Sequence, residues 1–180
     1  MISIHPLTEE RLQDFFEYLT RHVAENGQEG ALLFLPLSKA QSALSAEMKA
    51  KFASGLQQAF GEAGWRQVWV ATDQDLRIVG HIDLRTHREQ NAGHRVLLGM
   101  GVDRNFRHQH IGRKLMETVI AFGRNHPQIS WIDLEVLDNN TPAKSLYQKM
   151  GFEQVGVTRD MFRIDHVSYA YASMTLQVGD

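Results

Sequence analysis

A basic run, Arg107-His108-Gln109-His110-Ile111-Gly112-Arg113-Lys114, stands between an apolar segment of strand character, residues 96–102, and a stretch with helical periodicity. The first amides of a helix have no partner within it and lie at the positive end of the helix dipole. A basic, glycine-containing loop at that point suits a phosphate or pyrophosphate. Downstream comes Asn140-Thr141-Pro142-Ala143-Lys144-Ser145-Leu146-Tyr147-Gln148-Lys149-Met150-Gly151-Phe152, which carries a phenol able to donate a proton. In Ile132-Asp133-Leu134-Glu135-Val136 the two carboxylates alternate with apolar residues, so on a strand they share one face. A further carboxylate, Asp83, lies in His81-Ile82-Asp83-Leu84-Arg85. These residues point to an enzyme that holds a phosphorylated cofactor and does chemistry beside it.

Other chemistries are excluded by what the chain lacks. Nine histidines are present, but His81, His87 and His94 are scattered, and His108 and His110 lack the helical i, i+4 spacing of a zinc protease pair, so no metal site is expected. There is no P-loop and no Gly-x-Ser-x-Gly elbow. With no cysteine there can be no disulfide, thiolate metal site or cysteine nucleophile, which fits a cytoplasmic protein. A formal net charge of −2 argues against nucleic acid or an anionic membrane as partner. The first residues lack the pattern of a signal peptide. No apolar run approaches the roughly 20 residues that span a bilayer.

The elements that must position these groups can be read from periodicity. The 180 residues, 43% of them hydrophobic, suit one domain over 1–180 with a full core. Residues 2–4 read as a first strand. Thr8 can cap a helix with the stripe Leu12, Phe15, Phe16 and Leu19, which residues 26–30 break. Leu44, Met48, Phe52, Leu56 and Phe60 predict one long helix over 38–60, ended by Gly61 and Gly64. Strands follow at 67–72 and 77–84 around an Asp73-Gln74-Asp75 turn, then at 94–102, where Gly99 and Gly101 signal a bulge or a close backbone approach. A helix over 111–122, a strand over 131–137, and a short helix capped by Thr141 and begun by Pro142 come next. A hairpin of residues 153–164 and 168–177 closes the chain. Its last strand either pairs within the sheet or supports a homodimer edge. The order β-α-α-β-β-β-α-β-α-β-β predicts an α/β fold of the α+β type, with a mixed, mostly antiparallel sheet, a central β-α-β unit, and helices on both faces.

The two motifs together resemble those of the GNAT superfamily of acyl-CoA N-acyltransferases. The family's cofactor signature is Arg or Gln, two residues, Gly, one residue, then Gly or Ala. Arg107, His110 and Gly112 hold those positions, so His110 replaces the usual glycine. The second signature is matched in order by Asn140, Ala143, Leu146, Tyr147, Gly151 and Phe152. The similarity covers about residues 68–176 and is most specific over 100–152, with a cofactor-binding core of about 96–152. What it implies is an acetyl-CoA-dependent N-acetyltransferase acting on a primary amine by direct attack in a ternary complex. The pyrophosphate of coenzyme A would lie on the loop of Arg107, His108, Gln109, His110, Ile111, Gly112 and Arg113. The pantetheine arm would run along Met100, Gly101 and Val102 like an added strand, with Asn140, Ala143 and Tyr147 alongside. Tyr147 would protonate the departing thiolate as general acid. Glu135, in a Leu-Glu-Val sequence that some relatives use for a base, is the first candidate for general base, and Asp83 the second.

His110 is the departure that matters. At negative φ it costs little; at positive φ it costs about 1–2 kcal/mol. It also motivates a second reading, a non-catalytic acyl-CoA-binding or regulatory module. The acceptor, a small molecule or a peptide N-terminus, would be set by residues 24–40 and 160–171. The apolar run Leu32-Leu33-Phe34-Leu35-Pro36 within the first of these is read as core rather than as a lip of the acceptor site.

Overall fold

The computed structural model describes residues 2–28 and 30–179; Met1, Asp180 and Glu29, the last within the break expected after the first helix, lie outside the described residues. Among the described residues, seven strands form one sheet: β1 (Ser3–Pro6), β2 (Arg66–Thr72), β3 (Ile78–Thr86), β4 (Arg95–Val102), β5 (Trp131–Leu137), β6 (Glu153–Ile164) and β7 (Val167–Gln177). Their spatial order is β1-β2-β3-β4-β5-β7-β6, antiparallel at every pairing except β4 with β5. The described residues also form the α-helices α1 (Leu12–Ala24), α2 (Ala46–Gln57), α3 (Ile111–Asn125) and α4 (Thr141–Lys149). The expected mixed, mostly antiparallel sheet with its β4-α3-β5 unit is therefore present. No helix among the described residues is long and apolar enough to cross a membrane.

Strand alternation sends side chains to two faces, and each face carries its own core. On one side, Phe15, Tyr18 and Leu19 of α1 and Phe52 of α2 pack against Val68 and Val70 of β2. On the other, Leu115, Met116, Val119 and Ile120 of α3 pack against Trp69, Ile82, Leu98 and Leu134, with Tyr147 of α4 among them. Both α1 and α3 show the expected apolar stripes.

Three local expectations change. The long helix over 38–60 is instead a 3-10 turn at Lys39–Gln41 followed by α2 from Ala46 to Gln57. Serines set this break: Ser38 accepts from the amide of Gln41, and Ser45 accepts from that of Met48 as the true cap of α2. Thr8 makes no side-chain cap; a 3-10 turn, Glu9–Arg11, leads into α1. The cap of α4 is Asn140, whose side-chain Oδ1 accepts from Ala143 N at 3.3 Å, one residue earlier than expected. Of the two readings of the last strand, pairing within the sheet holds, because β7 is paired to β5 on one side and β6 on the other. The β6-β7 turn is a two-residue Asp165-His166 link with positive φ at both (49° and 65°), the backbone twist tight hairpins favour.

Candidate active site

The feature that makes a site is a split in the sheet. Parallel strands β4 and β5 are in register only at Arg95–Trp131, Val96–Ile132 and Leu97–Asp133. Past Leu97 the strands part, and the β5-facing edge of Leu98, Gly99, Met100, Gly101 and Val102 has no strand partner among the described residues. Apart from the Val102 carbonyl, which accepts from Arg107 Nε, peptide groups on that edge are free to take an extended ligand. The split opens into a cleft of about 1940 Å³.

At one end of the cleft lies the basic run. The N-cap of α3 is His110, with φ 59° and ψ 13°, the left-handed conformation. The φ of His110 is thus positive, the costlier of the two cases, and His108 shares it at 62°. A left-handed residue followed by a right-handed one turns successive N–H groups toward the same side, forming an anion-binding concavity. The amides of residues 108–113 have no protein acceptor among the described residues. Gly112 brings the backbone close to α4: an added Cβ would sit 3.1 Å from Leu146 Cδ2. Arg107 is directed elsewhere. Its Nε donates to the Val102 carbonyl at 3.3 Å, and its Nη2 lies 3.6 Å from Glu25 Oε2 at the end of α1. It fastens the loop to β4 and α1. Burial pushes the Glu25 carboxyl up, with the Asp103 charge adding to it.

The cleft floor is the α1/α2 face of β3, β4 and β5. His81, Asp83 and Arg85 alternate with Ile82 and Leu84, and Gly99 and Gly101 lie opposite them in register. Those glycines carry no bulge; they mark a close approach. A Cβ on Gly99 would stand 2.6 Å from Asp83 Oδ1, and one on Gly101 2.4 Å from His22 Nε2 and 2.9 Å from His81 Cε1. Asp83 is 3% exposed and shares Oδ2 with Arg85 Nη1 at 3.1 Å and Arg66 Nε at 3.5 Å. Glu135 is more open, with Arg88 Nη2 at 3.2 Å from its Oε2. Its neighbour on the same face, Asp133, is taken up by Arg95 and the Thr175 hydroxyl.

Tyr147 of α4 borders the cleft, 8% exposed, with its ring 6.1 Å from that of Phe152. Burial, helped by the Tyr171 phenol, pushes its pKa up to about 12, so it holds its proton throughout the neutral range. Burial also raises Tyr171, with Glu135 adding to it.

A buried cluster escaped the reading of the sequence. His22, Tyr18 and His81 meet behind Gly101, with Tyr18 Oη and His81 Nδ1 at 3.0 Å. His22 stacks between Phe34 (4.8 Å) and Tyr18 (5.7 Å), and its Nδ1 is buried with no hydrogen-bond partner. Burial, then the neighbouring His81, holds His22 down to about 3; burial, then Arg66, does the same to His81. The available signal was polar residues inside apolar stripes: His22 continues the Phe15, Tyr18, Leu19 face of α1. The run at 32–36 is a lip, not core: Leu32 is 45% exposed, and Phe34, Leu35 and Pro36 border the cleft. No group of three or more His, Cys, Asp or Glu that could hold a metal occurs among the described residues.

Known proteins resemble this chain in both sequence and fold. The sequence profile of the acetyltransferase (GNAT) family matches residues 38–152. The L-amino acid N-acetyltransferase AaaT of Escherichia coli is 29% identical over 93 residues, covering 52% of this chain and 56% of that protein. The N-alpha-acetyltransferase RimI of Mycobacterium tuberculosis is 34% identical over 65 residues, covering 36% and 39%. The chain thus matches about half the length, or less, of these curated relatives. Among solved structures, a GNAT-family acetyltransferase from Streptococcus pneumoniae superposes with a TM-score of 0.79 at 17% identity, covering 99% of this chain and 100% of that one. A ribosomal-protein-alanine N-acetyltransferase from Brucella melitensis gives 0.77 at 18%, covering 97% and 99%.

Proposed function

The chain belongs to the acetyltransferase (GNAT) family, and from that premise we propose that it moves the acetyl group of acetyl-CoA to a primary amine by direct attack in a ternary complex. The observation that carries this reading is the split between β4 and β5, with unpartnered amides at residues 108–113 at its end. The residues fit the cofactor. A nest of free N–H groups suits a pyrophosphate, and Arg113 is exposed beside it. The unpaired edge of Met100, Gly101 and Val102 suits an amide-bearing arm, with Asn140, Ala143 and Tyr147 on the facing helix. Arg107 holds the loop in place rather than offering its charge outward.

When bound, acetyl-CoA supplies a thioester, a carbonyl carbon with a thiolate leaving group. The protein's work is to manage two protons. A primary amine, which ordinarily titrates near ~10, is mostly protonated at neutral pH and must lose a proton to attack. Glu135 is our base, acting through water. Its ion pair with Arg88, whose side chain is 70% exposed, is of the surface kind that holds a carboxylate only weakly. Asp83, already gripped by two arginines, is the second candidate. As the amine nitrogen bonds to the carbonyl carbon and the carbon–sulfur bond breaks, negative charge gathers on sulfur. Tyr147 meets it with a hydrogen bond and yields its proton, recovering one from solvent. No acyl-enzyme is needed, and no cysteine exists to form one.

The test is release of free thiol from acetyl-CoA with a panel of amino acids, peptides, polyamines and aminoglycosides. Tyr147→Phe keeps the ring and should lower kcat by roughly 10²–10⁴-fold with cofactor affinity nearly unchanged. Near wild-type turnover in that variant, with chemistry rate-limiting, refutes the role of Tyr147. No thiol release with any amine, despite a cofactor-induced rise in melting temperature, would identify a non-catalytic acyl-CoA-binding module instead.

A further inference from the structure

We infer that Arg66, Asp83 and Arg85 form a carboxylate-binding subsite in the cleft, so that the acceptor is an amine bearing a nearby carboxylate, as in a free α-amino acid. This rests on the acetyl-transfer reading above. Arg66 and Arg85 are direct register partners across β2 and β3, and Asp83 sits two residues along the same face. All three border the cleft. One aspartate faces two guanidiniums, through a single oxygen, Oδ2. The cluster therefore carries one uncompensated positive charge.

That excess is poorly solvated. The Arg66 side chain is 13% exposed, and its guanidinium lies 4.0 Å over the Phe52 ring. Burial pulls its pKa down against the opposing pull of Asp83. A cation sunk into a cleft is costly unless an anion meets it. No protein group among the described residues does so: beyond Asp83, neither guanidinium has a hydrogen-bond acceptor or second ion-pair partner. The remaining charges nearby are already balanced, Arg88 by Glu135 and Lys51 by Glu47. Arg85, with a side chain 30% exposed, keeps donors for a ligand. A guanidinium fork matches a carboxylate in shape as well as charge.

Asp83 pairs with Gly99, where β4 has just parted from β5, and Arg85 pairs with Leu97, the last residue still in register with β5. The arginines thus lie at the closed root of the split. Glu135 lies two residues past the last β4-β5 partner, on the same face of the neighbouring strand. An acceptor seated by its carboxylate at the root extends its amine toward Glu135 and the open β4 edge. A peptide N-terminus has no carboxylate on its first backbone unit and leaves the arginines unmet.

The experiment measures thiol release from acetyl-CoA with the common amino acids, each against its own C-terminal amide. The amide has the less basic amine and more of it free at neutral pH, so a preference for the acid runs against intrinsic reactivity. The expected result is a kcat/KM at least about 10-fold higher for the preferred acid than for its amide, the scale of a charge-assisted contact. Arg85→Gln, at a partly exposed position and checked for an unchanged melting temperature, should collapse that ratio toward one, chiefly through KM for the acid. Amides or short peptides used as well as acids, or a ratio that survives Arg85→Gln, overturn the inference while leaving acetyl transfer standing. No thiol release with any amine defeats both.

Discussion

Replacing Gly101 by alanine tests the closest approach in the site. The new methyl would lie 2.4 Å from His22 Nε2, 2.8 Å from its Cδ2 and 2.9 Å from His81 Cε1. Carbon atoms rest comfortably at ~3.5–4.0 Å, so the overlap is on the order of 1 Å. Neither ring has an easy escape. His22 is held between Phe34 and Tyr18, and His81 is tied to the Tyr18 hydroxyl at 3.0 Å. Overpacking of this kind costs about 1–3 kcal/mol, and the strand gains back roughly 0.5–1 kcal/mol on losing a glycine. A net loss of about 1–2 kcal/mol should lower the melting temperature by roughly 2–8 °C for a chain of this length. The decisive measurement is a double-mutant cycle by urea unfolding, followed through tryptophan fluorescence. His22→Ala removes the ring together with its unpartnered Nδ1, and in that background the alanine at 101 should cost clearly less, its remaining close contact being His81 Cε1 at 2.9 Å, a coupling of about 1 kcal/mol. Additivity within about 0.5 kcal/mol would show that the two positions do not collide and that the glycine is there for another reason.

Two further outcomes follow from backbone strain and buried imidazoles. Because His110 is left-handed and makes no side-chain cap, His110→Gly should relieve about 1–2 kcal/mol of strain against about 0.4–1 kcal/mol of added chain entropy in the unfolded state. A melting temperature that rises slightly, with equal or tighter coenzyme A binding, fits; a clear loss of binding by calorimetry would mean the imidazole contacts the ligand. His22 and His81 are held near 3 against an ordinary 6.5, so the unfolded chain binds protons that the folded chain refuses. Their stabilising contribution is whole above pH ~6.5 and falls as pH drops toward ~3, by about 1.4 kcal/mol per pH unit for each ring. Urea midpoints at pH 7 and pH 5 should show this fall, and His22→Gln should roughly halve the slope; a flat profile refutes the buried neutral pair.

The sequence by itself determined what is local. The 3.6-residue stripe of α3, the period-2 alternation of β5 and the two motifs flanking them fix a β-α-β unit and its loops, because periodicity reports which face of an element is buried. It also put Asp133 and Glu135 on one face and flagged Gly99 and Gly101 as a bulge or a close approach. Local chemistry misled where short-range hydrogen bonds compete with apolar spacing: Ser38 and Ser45 cut the segment over 38–60, although its stripe continues through the break. Only the tertiary structure decided what each face meets. That β4 and β5 part after Leu97 depends on helices and strands far away in sequence. So does the use of Phe34 as a cleft lip, the turn of Arg107 toward Glu25, and the meeting of His22 with His81 across 59 residues of chain. The excess charge of Arg66, Asp83 and Arg85 belongs to this second kind. Three ordinary surface-type residues become a site only when sheet register lines them up and burial removes the water that would otherwise have hidden their charge.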